Sequence, residues 1–320
     1  MTTTLPPQFW DTFLTEYWEK KPGVFKGVIT EPLLTGGDVL EALRHSAEEL
    51  VGGLDNPTQA SAHTIRLYID GLQAQYPHYM KFFPEGDSLE EYLDVVSRRL
   101  EGRSFGIVLN ELQLHFQPAL PRLVDFLRPL LAHSQIPSGY VESAVFMGTY
   151  PLTPFGIHND VGNDVLTFSV QGRKRFLLWP PGYFEENPVG RFLEPDPAQY
   201  IGDAIDLEVG PNDMMYWPPS WYHVAYNTTA EAHATISVGF WRNTVLSRAV
   251  AEIVEDALGE HLAAANRYNG SWAARPELPP ELSGALRSLR ELVMSGELEK
   301  RAVERWQRRV GAGGFKLPKP

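Results

Sequence analysis

The run V-L-T-F-S-V-Q-G-R-K-R-F-L-L-W, from Val165 to Trp179, constrains the fold more than any other part of the sequence. Val165–Val170 reads as a buried strand, Gly172 as a turn and Arg173–Trp179 as the returning strand. On the returning strand Lys174, Phe176 and Leu178 share one face, while Arg173, Arg175, Leu177 and Trp179 share the other. Lys174 is then the one cation on an otherwise apolar, inward face. A buried lysine is costly unless it meets an anion. The competing arrangement gives up this face assignment and leaves all three basic residues in solvent.

Just upstream, His158 and Asp160 stand at i and i+2, a spacing that points both side chains to one face of an extended strand. His-x-Asp is common by chance, so the pair needs support. His223 supplies it, in the aromatic-dense segment N-D-M-M-Y-W-P-P-S-W-Y-H-V-A-Y-N (Asn212 to Asn227). Two imidazoles and a carboxylate on one face of a metal leave the opposite positions open, the geometry used by non-haem Fe(II) oxygenases.

In combination these segments resemble the JmjC-type, cupin-like Fe(II)/2-oxoglutarate oxygenases. The resemblance lies in H-N-D, in G-R-K-R-F-L-L-W-P-P, in Y-W-P-P-S-W-Y-H-V, and in the closing strand I-S-V-G-F-W (Ile236 to Trp241). The lead-in W-E-K-K-P-G-V-F-K is similar to that of the ribosomal-protein hydroxylases of this family. The resemblance covers about the middle half of the chain. It implies a double-stranded β-helix (jelly-roll) core that is mainly β with helical flanks. It also implies Fe(II), 2-oxoglutarate and O2 as cofactor and co-substrates. His158, Asp160 and His223 take the positions of the iron ligands, Lys174 that of the basic residue on the distal carboxylate of 2-oxoglutarate, and Trp241 that of a site-lining tryptophan.

The departures are local. The His158–Lys174 interval is one residue longer than the family's usual spacing, with the extra residue expected in the loop Val161–Asn163. Phe155 stands where a hydroxyl residue is common three positions before the first histidine; Thr153, or Thr149 and Tyr150, are the substitutes. Asn163 or Asp164 replaces an asparagine usual early in the hairpin, and Gly239 replaces a polar residue before the final F-W.

The 320 residues contain no cysteine, which excludes disulfides, zinc–thiolate sites and thiol nucleophiles. The N-terminal M-T-T-T-L-P-P-Q-F-W has no basic-then-apolar leader, and no apolar run approaches the ~20 residues of a membrane span, so a cytoplasmic protein with no membrane partner is expected. A formal charge of −12 argues against nucleic acid as a partner.

Three regions are expected: a mixed α/β segment over 1–102, the core over 103–244, and a helical region over 245–320 that packs on the barrel or forms a homodimer interface. In the first, Phe9–Lys20, Thr35–Leu50 and Ser88–Leu100 read as helices, the last with Ser88 and Glu91 as a capping box. Gly23–Thr30 and Ile65–Leu72 read as strands. Gly102–Phe116 reads as an early barrel strand interrupted by Asn110 and Glu111, which stand at a polar outer edge or line the cavity, and Pro121–His133 as a helix; His115 and His133 are structural or surface residues. Ser138–Tyr150 leads into the site as a strand. Pro180–Pro211 has little periodicity and reads as a lid or passive surface, its Glu185, Glu186, Glu194 and Asp196 suiting a cationic substrate. His233 is expected in a loop before the last strand. Ser247–Leu262, Glu281–Met294 and Glu297–Val310 read as helices, and G-A-G-G-F-K-L-P-K-P as a flexible basic end.

The expected activity is hydroxylation of an unactivated C–H bond, by resemblance in an amino-acid side chain of a protein or peptide. A free amino acid or other small amino-acid-like molecule is the nearest alternative. A cupin metalloenzyme without 2-oxoglutarate would keep the triad but need no cation at Lys174. A non-catalytic binding module would need no triad.

Overall fold

The computed structural model describes residues 5–52, 64–74, 76–184, 197–227, 231–242, 244–262 and 280–317. The chain divides into two compact units, Met1–Asn243 with Phe315–Pro320, and Thr244–Gly314. No helix among the described residues is long and apolar enough to cross a membrane.

The first unit is built on two antiparallel sheets. Strands β1 (Gly23–Phe25), β2 (Ile65–Ile69), β3 (Leu72–Gln73), β4 (Phe105–Leu109), β5 (Tyr140–Gly148), β7 (Asn163–Gln171), β10 (Met214–Trp217) and β12 (His233–Trp241) form one, in the order β1-β10-β7-β12-β5-β4-β2-β3. Strands β6 (His158–Asn159), β8 (Lys174–Trp179), β9 (Ile205–Val209) and β11 (Tyr222–Ala225) form the other, in the order β6-β11-β8-β9. From β5 onward successive strands divide between the two sheets, which is the double-stranded β-helix expected.

Aromatic packing holds the N-terminal helix α1 (Pro7–Glu16) against the back of the large sheet. Phe13 is fully buried, with its ring 5.0 Å from that of Tyr216, and Trp18 lies 5.5 Å from Phe240. Helices α2 (Gly36–Gly52), α3 (Leu89–Arg99), α4 (Leu112–His115) and α5 (Ala119–Ser134) complete this layer. Ser88 caps α3 by accepting from the Glu91 amide at 3.1 Å, while the Glu91 carboxylate reaches back to the amide of Asp87 at 2.9 Å, one residue before the cap.

Several strands are shorter than their apolar runs suggest, each for a local reason. β1 ends at Phe25 because Lys26 and Gly27 turn to bind the Asp213 carboxylate, both at 3.0 Å. Ile65–Leu72 is a hairpin, broken at Asp70–Gly71 by two residues of positive φ, with Arg103 and Ser104 holding the Asp70 carboxylate. β4 ends at Leu109 because Glu111 adopts a left-handed conformation (φ 55°) and starts α4. Among the described residues of 180–211 there is a strand: β9 is an edge strand on β8, and its Asp206 and Glu208 pair with Arg175 and Arg173. Glu185, Glu186, Glu194 and Asp196 lie outside the described residues.

The C-terminal residues also differ from expectation. Phe315 is buried and bridges Val141, and the Lys316 amine pairs with Glu111 at 2.5 Å above the Tyr140 ring, so this stretch belongs to the first unit rather than to a loose end. The second unit consists of α6 (Leu246–Leu262), α7 (Pro280–Met294) and α8 (Glu297–Gly311), with Arg305 of α8 bound to Glu252 and Asp256 of α6.

One glycine is required by the sheet itself. Gly148 has φ of +142°, and a Cβ there would sit 2.1 Å from the Phe105 carbonyl oxygen. Gly148→Ala is expected to cost about 3 kcal/mol, lowering Tm by roughly 6 °C or more in a thermal melt. A melt within about 1 °C of wild type would contradict this close strand approach.

Candidate metal centre and its cavity

The site forms where the two sheets face each other. β6 and β11 pair with His158 directly opposite His223, so the register alone brings the two imidazoles together, with ring centroids 4.3 Å apart. Asp160 lies just past the end of β6, where the chain turns through Val161 and Gly162 before Asn163 bonds back to the Asp160 carbonyl at 3.2 Å. The ligand atoms of His158, Asp160 and His223 all lie within 4.8 Å of one another, and His223 Nε2 is 3.8 Å from Asp160 Oδ2.

The tautomers suit a cation. His158 Nδ1 donates to the Gly156 carbonyl at 3.0 Å and His223 Nδ1 to the Trp221 carbonyl at 3.1 Å. A carbonyl only accepts, so the proton sits on Nδ1 and the Nε2 lone pair is left for a metal. Burial, and then the neighbouring His158, hold the His223 imidazole below its usual range, so it is neutral at pH 7. Two imidazoles with Nε2 left open and one carboxylate therefore fit a divalent cation with open positions.

A cavity of about 270 Å³ opens beside the triad, close to the lower end of small-molecule sites. Lys174 lies in its wall and is 2% exposed. Its amine donates to the Tyr150 hydroxyl at 2.7 Å, lies 3.4 Å from Thr235 Oγ1, and is surrounded by the rings of Phe146, Tyr150 and Phe176 at 5.1–5.4 Å. Burial depresses its pKa from 10.5 to about 7. Arg173 and Arg175 point the other way, to their partners on β9. The outward Leu177 and Trp179 are nonetheless buried, covered by Tyr183, Phe184 and Tyr200.

Burial also pushes the Tyr150 phenol above its usual range, so it keeps its proton. With the lysine donating to its oxygen, that proton is directed to a further acceptor. Room for the ring comes from β4, where a Cβ on Gly106 would lie 3.0 Å from Tyr150 Cδ1.

The other predicted residues divide. Thr153 lines the cavity, its hydroxyl accepting from the Ala225 amide at 3.1 Å. Trp241 lines it too, with Nε1 donating to Glu142 Oε1 at 2.8 Å. Asn163 is buried in the wall with its Oδ1 unpartnered. Its amide fills the space next to Gly239, where a Cβ would meet Asn163 Oδ1 at 2.9 Å. The polar group missing at Gly239 is thus provided by the adjacent strand. Asp164 is not in the wall: it accepts from Tyr216 at 2.5 Å and pairs with Arg242 at 2.9 Å. His233 is no loop residue but the buried first residue of β12, edge-on to Tyr150 at 4.7 Å.

Arg66 and Glu142 also line the cavity and carry no expectation from the sequence. The signal for Arg66 was present in I-R-L-Y-I, where alternation sets Arg66 and Tyr68 opposite the core-facing Ile65, Leu67 and Ile69. Of the two placements open to Asn110, the structure shows the cavity wall.

No family model matches the chain, and no curated protein matches it. Among solved structures it is similar to YcfD, a ribosomal oxygenase from Escherichia coli, in complex with cobalt and 2-oxoglutarate (18% identity, 94% of this chain and 70% of that one, TM-score 0.47). The complex of YcfD with cobalt and succinic acid matches over the same shares at 18% identity, with TM-score 0.45. Procruciferin, an 11S globulin from Brassica napus, matches over 43% of this chain and 26% of its own at 8% identity, with TM-score 0.26.

Proposed function

We propose that the chain is an Fe(II)/2-oxoglutarate-dependent oxygenase that hydroxylates an unactivated C–H bond, in an amino-acid side chain of a protein or peptide. The observation that carries this reading is the pairing of a His-Asp-His cluster with a buried lysine that no carboxylate among the described residues meets, in one small cavity.

His158 and His223 would hold the iron through Nε2, and Asp160 would hold it through its carboxylate while offsetting part of its charge. When bound, iron supplies the oxygen activation that couples oxidative decarboxylation of 2-oxoglutarate to oxidation of a substrate C–H bond. Lys174 and the Tyr150 proton would take the distal carboxylate, and Thr153, Asn163 and Trp241 bound the same space. Phe146, Val165 and Phe176 keep the walls apolar, which strengthens each ionic contact inside. A metalloenzyme that takes its substrate directly would have no use for a desolvated cation in the cavity of the triad.

Assembly belongs to the same reading. The helical unit leaves Leu282, Leu286, Val293, Met294, Val303 and Trp306 exposed, which supports a homodimer through these helices.

The test of activity is direct. With Fe(II), 2-oxoglutarate and air, succinate is expected to form without added substrate at a slow uncoupled rate, and to cease under argon or with a chelator. Protein that binds iron but forms no succinate above a metal-only control would contradict the proposal.

A further inference from the structure

The cavity wall carries four charged side chains besides the two imidazoles: Arg66, Glu142, Asp160 and Lys174. Three have a role within the wall. Asp160 stands with the two histidines, Glu142 accepts from Trp241 with Lys316 3.8 Å away, and Lys174 meets Tyr150. Arg66 is left over. Its Nε is buried with no hydrogen-bond partner, and no carboxylate among the described residues pairs with it. Its guanidinium lies over the face of Phe155, 5.3 Å from the ring centroid.

Phe155 relates this cation to the metal centre. Its ring stands edge-on to His158 at 5.4 Å, and 6.4 Å from Phe146, whose other neighbour is the Lys174 amine at 5.1 Å. The two cations are therefore separated by two aromatic rings. Backbone register agrees: Arg66 pairs with Val108 and Val108 with Phe146, which sets Arg66 two strands, roughly 10 Å, from the strand that carries Phe146. Arg66 thus lies two aromatic rings away from Lys174 and marks a second anion position in the same cavity.

A guanidinium stacked on an aromatic ring with a donor still free is preorganised for a planar acceptor, and a carboxylate matches it best. We infer that Arg66 is a specificity residue that binds a carboxylate of the primary substrate, with Phe155 as the platform beneath it. What happens to that substrate rests on the oxygenase reading; what binds at Arg66 rests on its own surroundings. The carboxylate is either an acidic side chain within a peptide or a free C-terminal carboxylate.

Binding to the full chain loaded with Mn(II) and 2-oxoglutarate, followed by calorimetry, decides between these. The probes are acetyl-Ala-Glu-Ala-amide, its isostere acetyl-Ala-Gln-Ala-amide, and acetyl-Ala-Ala-Ala with a free carboxylate. At least one carboxylate probe is expected to bind about tenfold or more tighter than the glutamine isostere, and which one does so identifies the source. Arg66→Gln is expected to erase that preference, Arg66→Lys to keep part of it, and both to leave 2-oxoglutarate affinity within about twofold. Three results would overturn the inference: carboxylate and amide probes that bind equally or not at all, a preference that survives in Arg66→Gln, or a parallel fall in 2-oxoglutarate affinity. Failure of the oxygenase reading has a different signature, because wild-type protein would then bind no 2-oxoglutarate in the same titrations.

Discussion

Lys174→Met is expected to lower 2-oxoglutarate affinity by about 100-fold or more while leaving the metal-free protein at least as stable as wild type. The two halves of this result have one cause. The ammonium is buried, its contacts are two hydroxyls and three ring faces, and desolvation brings its pKa from 10.5 to about 7. Losing one partner of a buried ion pair costs about 3–5 kcal/mol, which gives the affinity loss. Methionine has a similar length and carries no charge to desolvate, which gives the stability.

The sign of the pH dependence follows. Between about pH 7 and 10.5 the unfolded chain holds a proton on Lys174 that the folded chain has released. Stability therefore rises with pH across that window in wild type, relative to Lys174→Met. Saturating 2-oxoglutarate restores the charged form and flattens the difference. Denaturation of both proteins at several pH values, with and without 2-oxoglutarate, measures this. A Lys174→Met protein that binds 2-oxoglutarate normally would remove the lysine from the site.

His223→Ala carries the second large effect. His223 is buried, its Nδ1 is fixed by a backbone carbonyl, and among the described residues no other histidine, aspartate or glutamate completes the cluster. Loss of one of three protein ligands is expected to weaken Fe(II) binding by about 100-fold or more, and succinate formation is expected to fall below detection. His133→Ala, at an exposed imidazole bonded to the Pro129 carbonyl, is the control that should change neither. Metal titration of the three proteins checks this, and wild-type affinity in His223→Ala would dissolve the triad.

How much of this was legible in the sequence depended on whether a residue's role is set locally. The hairpin around Gly172 was readable because strand alternation is a local rule, and it placed Lys174 inward and its two arginine neighbours outward correctly. The triad needed only one pairing, β6 on β11, to bring His158 against His223. β9 was missed because I-D-L-E-V is an edge strand with only Val209 buried, stabilised by cross-strand ion pairs that composition reads as loop. Gly102–Phe116 was overextended because a left-handed Glu111 and its ion pair with Lys316, far off in sequence, end the strand. The exchange of roles between Gly239 and Asn163 is a cross-strand volume effect that neither residue announces alone. Asp164 was offered as an equal of Asn163, yet neighbours on a strand face opposite ways, and only Asn163 reached the cavity.

In the proposed oxygenase one cavity would hold Fe(II) on His158, Asp160 and His223, and 2-oxoglutarate between that metal and Lys174. The most direct measurement is anaerobic reconstitution with Fe(II), followed by titration of 2-oxoglutarate against the weak visible metal-to-ligand charge-transfer band. The band is predicted in wild type and predicted to be absent, at the same concentrations, in both His223→Ala and Lys174→Met. Tight Fe(II) binding by wild type with no band at saturating 2-oxoglutarate would contradict the account.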